Sequence, residues 1–183
     1  MTTPAKPAYS LQPGEKVTPV MVYTQNLLIW GDVITKQAIR VSVWLRTPMA
    51  PQYLTIHNAQ VLPLPSSRGA RQQSFSELHV PLPLVLAFHI MPPARDPVDY
   101  DPNEPHRVMT PTTTLVGYFR FDGLVRMSSM TNLQRYLDVM KESYSTMYDV
   151  EITQTGAPDM GVIRTPFVLL KRDLVLYSPG SER

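Results

Sequence analysis

The chain contains no cysteine in its 183 residues. That excludes disulfide frameworks, thiolate metal sites and cysteine nucleophiles together. Glycine is scarce, with eight residues in all, and none of them forms a phosphate-binding Gly-rich loop or a Gly-x-Ser-x-Gly elbow. Charge is also sparse: 17% of residues are ionic and the net charge is only +2. So low a charge argues against a disordered chain, and no basic stripe is present for a polyanionic partner. The longest apolar stretch, Val80–Met91, is interrupted by Pro81, Pro83 and His89. It falls far short of the roughly 18–20 residues of a membrane-spanning helix. Met1–Pro7 lacks an apolar signal core, so a cytoplasmic location is expected, in keeping with the absence of cysteine.

What the chain does contain is 43% hydrophobic residues and 19 prolines, enough for one ordinary domain or two small ones with extended connections. Two stretches look alike. Leu27-Leu28-Ile29-Trp30-Gly31-Asp32-Val33 matches Phe119-Arg120-Phe121-Asp122-Gly123-Leu124-Val125, 92 positions on. At the same displacement Val41, Trp44 and Leu45 fall on Leu133, Tyr136 and Leu137. Further on, Tyr53 and Thr55 fall on Tyr144 and Thr146, and Val61 falls on Ile152. Self-similarity of this kind is the mark of a duplicated unit.

Within each unit the pattern predicts a strand, a short helix and further strands. Leu27, Ile29 and Val33 alternate around Gly31, which allows a bulge or a bend. Val41, Trp44 and Leu45 have i, i+3, i+4 spacing ended by Pro48, which favours a helix over 39–46; the β-branched Val41-Ser42-Val43 keeps a strand open there. Strands are expected at Tyr53–Ile56, Val61–Leu62 and Leu82–Ile90, with a polar loop over Pro63–His79. In the second unit Thr131-x-x-Gln134 has capping-box form, and Leu133, Tyr136, Leu137, Met140 and Tyr144 form a helical stripe. Tyr148, Val150 and Ile152 alternate as a strand. Phe167–Leu170 and Leu174–Tyr177 read as a hairpin or a bent strand. The expected organisation is a flexible arm over 1–19, a first unit over 20–91, a Pro-rich linker over 92–111, a second unit over 112–178 and a tail over 179–183.

The opening around Gly31, the Val41–Leu45 segment and the Tyr53–Val61 strand resemble an uncharacterised bacterial family of small β-rich domains of SH3-like or Sm-like barrel type. Gly123, Leu133–Leu137 and Phe167–Lys171 carry the same resemblance in the second unit. It implies a mainly β fold with short helices, built as two tandem small barrels packed as a pseudo-dimer. It carries no function with it, since such barrels host many. Neither copy shows the RNA-contacting Asp and Asn-Gly positions of a true Sm domain.

No residues assemble into a catalytic, cofactor or metal site. The histidines His57, His79, His89 and His106 never pair at i, i+4, and His57 and His89 fall at structural positions. Asp99-Tyr100-Asp101-Pro102-Asn103-Glu104 alternates carboxylates but lacks the Gly and the terminal Glu of a calcium loop. Trp30 stands out of register with its strand's core face and should be covered by the other unit or by a partner. The expected function is therefore a non-catalytic structural or interaction module that joins itself or another protein. The alternative is a nucleic-acid-binding barrel using Arg68, Arg71, Lys171 and Arg172 on phosphates.

Overall fold

A computed structural model describes residues 9–47, 49–65, 71–154 and 161–180. Its strands are β1 (Glu15–Tyr23), β2 (Leu27–Lys36), β3 (Tyr53–Pro63), β4 (Gln73–Pro81), β5 (Ala87–Ile90), β6 (Arg107–Val116), β7 (Phe119–Ser128), β8 (Tyr144–Gln154), β9 (Ile163–Lys171) and β10 (Leu176–Pro179). Two short helices, α1 (Val41–Trp44) and α2 (Leu133–Val139), lie between β2 and β3 and between β7 and β8. Leu82–Leu84 and Arg172–Leu174 are 3₁₀ turns leading into β5 and β10. The protein is thus mainly β. All ten strands form one antiparallel sheet in the order β10-β6-β7-β8-β9-β5-β1-β2-β3-β4. The sheet is open, with β10 and β4 at its ends.

Gly31 and Gly123 act as the sequence suggests. The β2–β3 register breaks between Trp30 and Asp32, and the β7–β8 register breaks between Asp122 and Leu124. Asn58 and Asp149 occupy the extra positions opposite, with φ of 50° and 48°, a region that short polar side chains tolerate. Each break is a bulge that bends the sheet.

Burial follows the alternation of the strands. One core holds Phe119, Phe121, Val125, Met127, Met147, Ile152 and Val168, together with Tyr23, Leu28 and Ala87 from the N-terminal strands. The other holds Val20, Val22, Ile29, Val33, Val41, Leu45, Leu54, Ile56 and Phe88, together with Tyr144 and Leu169. They meet where β5 pairs with β9. There Ala87 lies opposite Leu170 and Phe88 opposite Leu169, and the period of two sends one pair to each core. Lys171 N–H donates to Leu86 O at 2.7 Å, and the Tyr144 hydroxyl to Val85 O at 3.2 Å.

Several expectations are corrected. Glu15–Pro19, expected in the arm, are strand and pair with Asp32–Lys36. The polar run expected as a loop contains β4, paired with β3 from Tyr53↔Pro81 to Val61↔Gln73. Leu82–Ile90 is a 3₁₀ turn and a short strand rather than one strand. Arg107–Pro111, placed in the linker, begin β6. The C-terminal runs are no hairpin: β9 pairs with β8 and β5, while β10 pairs with β6. Helix α2 is capped by Asn132, whose side chain accepts from Arg135 N–H at 2.9 Å, and it ends at Val139, so Tyr144 lies on β8. Segment 41–44 is helical, with Val41 and Leu45 buried. Pro48 and 155–160 lie outside the described residues.

One buried polar pair has a pH consequence. His89 Nε2 lies 3.1 Å from the Tyr23 hydroxyl, and both residues are buried. Burial pushes the His89 imidazole down to about 4, so it is neutral in the fold. Unfolded, it takes up a proton near its ordinary value, so the unfolded state binds more protons between these limits and stability falls as pH falls through them. The expected loss from pH 7 to pH 4 is on the order of 3 kcal/mol from this group alone. Denaturant titrations across that range should show it, and His89→Gln should flatten the slope by up to one proton.

Candidate functional site

Hydrogen-bonding capacity is left over at the two ends of the sheet. Strand β4 is exposed along most of its length, as is the short β10. Open edges of this kind are ready to accept another strand. Apolar side chains accompany both. On β10 and its neighbour β6, Leu176 lies opposite Leu115, at 69% and 45% exposure. Tyr53 and Phe75 are exposed on β3 and β4, and Leu84 follows β4. Glu77 on β4 lies 3.4 Å from His57 Nδ1 and 3.0 Å from His79 Nε2, which places polar groups among these apolar ones. The Tyr177 ring turns inward from β10, its hydroxyl 2.5 Å from Ser145 Oγ on β8. Burial pushes that phenol up to about 12.

The Pro-rich segment between β5 and β6 is a strap fixed at several points. Ser42, at the start of α1, donates to Asp96 at 2.5 Å. Asp99 accepts from the Tyr148 hydroxyl on β8 at 2.6 Å and pairs with Arg46 beyond α1 at 2.8 Å. Partial burial alone would raise the Asp99 carboxyl, but the Tyr148 hydroxyl and the Arg46 guanidinium hold it below its ordinary value. The Tyr100 ring stands edge-on to Tyr148 at 4.9 Å, and Arg126 lies 4.8 Å from its centroid. Arg126 also donates to Glu104 at 2.6 Å and to Asp101 O at 2.8 Å. Strap, α1 and α2 border an open cleft of about 720 Å³ lined by Arg46, Asp99, Tyr136, Lys141 and Tyr148 among others. Of the carboxylates along this segment, Asp99 and Glu104 are therefore held by arginines and a hydroxyl, and Asp101 accepts from Asn103 N–H at 2.8 Å. Asp99→Ala removes the carboxylate acceptor of the Tyr148 hydroxyl and leaves Arg46 with only Ser42 O and Glu142, and should cost roughly 1–3 kcal/mol, measured by chemical denaturation.

The residues singled out from the sequence do not converge. Trp30 is half-buried on β2, opposite Met21 and Gln60, and packs against the core that holds Phe119 and Phe121. Arg71 is exposed just before β4. Lys171 sits at the far end of that strand, donating to Leu82 O and Pro83 O at 3.4 Å each. The two are separated by roughly 30 Å of extended chain. Burial lowers the Lys171 ammonium, and Arg172 is held by Asp173 at 2.8 Å. Arg68 lies outside the described residues. Edge strand β4 lacks a clear apolar alternation; the signal it does carry is Phe75, Leu78 and Val80 within a run bounded by Gly69 and Pro81. The chain matches no known protein-family model, no curated protein and no solved structure.

Proposed function

We propose that the chain is a non-catalytic structural module of two tandem barrel-type units, β1–β5 and β6–β10, which works by pairing its free strand edges with protein partners. The order strand, strand, helix, strand, strand, 3₁₀ turn, strand runs once through each set, and each set has its own core and its own bulge. Within each set the last strand returns to pair with the first, β5 on β1 and β10 on β6. The contact of Tyr177 on β10 with Ser145 on β8 supports a curled rather than a flat unit.

One observation carries the functional reading: the joint inside the sheet is itself an edge-to-edge pairing, β5 on β9. Strand pairing is how this chain already joins its two halves, and β4 and β10 offer the same kind of surface outward. The nucleic-acid alternative draws no support from its own cations: Arg71 lies at the opposite end of β4 from Lys171, and Arg172 is paired with Asp173.

The test is a pull-down with the full immobilised chain, comparing wild type with Leu176→Glu, alongside titration with mixed-sequence RNA and DNA at low salt. A partner held by wild type and lost from the variant is the expected result, with no salt-dependent nucleic-acid binding. Binding that weakens steeply with salt and ignores Leu176 would favour the phosphate reading instead.

A further inference from the structure

We propose that the partner of each free edge is a second copy of this chain, joined head to tail with β10 of one molecule on β4 of the next. This rests on the two-unit reading above. The pairing registers place the two outer strands in correspondence with the strands joined inside. Tyr23↔Ala87 and Val22↔Phe88 on β1–β5 correspond to Leu115↔Leu176 and Thr114↔Tyr177 on β6–β10. Leu54↔Val80 and Thr55↔His79 on β3–β4 correspond to Ser145↔Leu170 and Thr146↔Leu169 on β8–β9. The 3₁₀ turn that follows β4 corresponds to the one that follows β9. The backbone bonds from Met91 N–H to Pro19 O and from Gly180 N–H to Pro111 O close β5 and β10 in the same way.

Transferring the inner joint outward gives a specific register. Ala87 opposite Leu170 becomes Leu176 opposite Val80 of the next copy, and Phe88 opposite Leu169 becomes Tyr177 opposite His79. The side chains agree with this placement. At the inner joint Tyr23 and Ala87 are fully buried, because they cover the core of the second unit beside Phe119 and Phe121. Their counterparts Leu115 and Leu176 are among the exposed large hydrophobics. By correspondence they cover the first unit's core in the next copy, beside Leu27 and Ile29. Their burial supplies the apolar driving force for association. Pro81 stands where Lys171 stands inside and has no N–H to donate, so the outer joint has one ladder bond fewer and should be weaker than the inner one. Because the two surfaces differ, the contact is heterologous and propagates into a ring or a filament.

The test is sedimentation of the full chain over a wide concentration series, with one variant on each surface. Leu176→Glu blocks β10, and His79→Pro blocks β4, with Leu78→Glu in its place should the proline unfold the edge. Circular dichroism confirms that each variant folds. Wild type should grow in mass with concentration, and Leu176→Glu should raise the concentration needed by about tenfold or more. At the concentrations where wild type assembles, each variant alone should remain a monomer, whereas an equimolar mixture should form a dimer and nothing larger, since only one good edge of each kind remains. A wild type that stays monomeric, or single variants that self-associate at the same concentrations as wild type, would overturn the proposal. A monomeric wild type that nevertheless captures a protein through Leu176 overturns only the second copy as partner. A monomer with no edge-dependent partner overturns the reading beneath it as well.

Discussion

Tyr23→Ala should destabilise the protein by roughly 3–5 kcal/mol, the range for removing a fully buried aromatic ring. Tyr23 belongs to β1 yet stands edge-on to Phe119 at 4.7 Å and Phe121 at 5.1 Å, both on β7. Its hydroxyl also meets His89 on the neighbouring β5. Truncation therefore opens a cavity in the core containing β7 and leaves the buried His89 imidazole with Ile90 O alone. A domain of this kind holds about 5–15 kcal/mol in total, so the loss is a large share of it. Tyr23→Phe keeps the ring and removes only the hydroxyl, and should cost about 1–3 kcal/mol. Denaturant unfolding of both variants separates packing from hydrogen bonding. Equal losses would contradict the packing role.

Gly123→Ala and Gly31→Ala should each cost about 3 kcal/mol, at the upper end of what overpacking usually does. The reason is proximity. A Cβ on Gly123 would lie 2.7 Å from Tyr148 O, and one on Gly31 would lie 2.6 Å from His57 O. Both obstacles are backbone atoms held in strand pairing, so they cannot swing aside like a side-chain tip. The expected fall in Tm is about 10 °C for either variant, at roughly 2–4 °C per kcal/mol for a chain of this size. Gly161 serves as the control: nothing lies within 4 Å of its Cβ position, although its φ of +68° adds some strain to any replacement. A fall at Gly123 no larger than that at Gly161 would remove the close-approach explanation.

These glycines were legible in the sequence because they interrupt an apolar alternation that continues on both sides. Helix α2 was legible from its stripe: Leu133, Tyr136, Leu137 and Met140 are half-buried while Gln134, Arg135 and Asp138 are exposed. The edges were not legible. Strand β4 is exposed on both faces over most of its length, so nothing selects apolar residues at alternate positions. Strands β1 and β6 carry Pro19 and Pro111, and proline within a run argues against a strand. The strap shows the same limit. Its prolines marked an extended segment, but Asp99, Tyr100 and Glu104 find Arg46, Tyr148 and Arg126 across tens of residues of sequence. Composition holds no record of such distances. The edge surface could be found only once strand order was known, since exposure of Leu115 and Leu176 acquires meaning beside the burial of Tyr23 and Ala87.

The register of the outer joint is open to direct measurement, because the chain has no cysteine of its own. One preparation carries Leu176→Cys and another Val80→Cys. Directly opposed residues in an antiparallel pair have Cα atoms roughly 4.5–5.5 Å apart, within the range a disulfide spans. After mixing and mild oxidation, the expected result is a disulfide-linked dimer containing one chain of each kind, with little dimer in either preparation alone. A mixture that yields no such dimer, or Leu176→Cys chains that link chiefly to one another, would contradict head-to-tail pairing of β10 with β4.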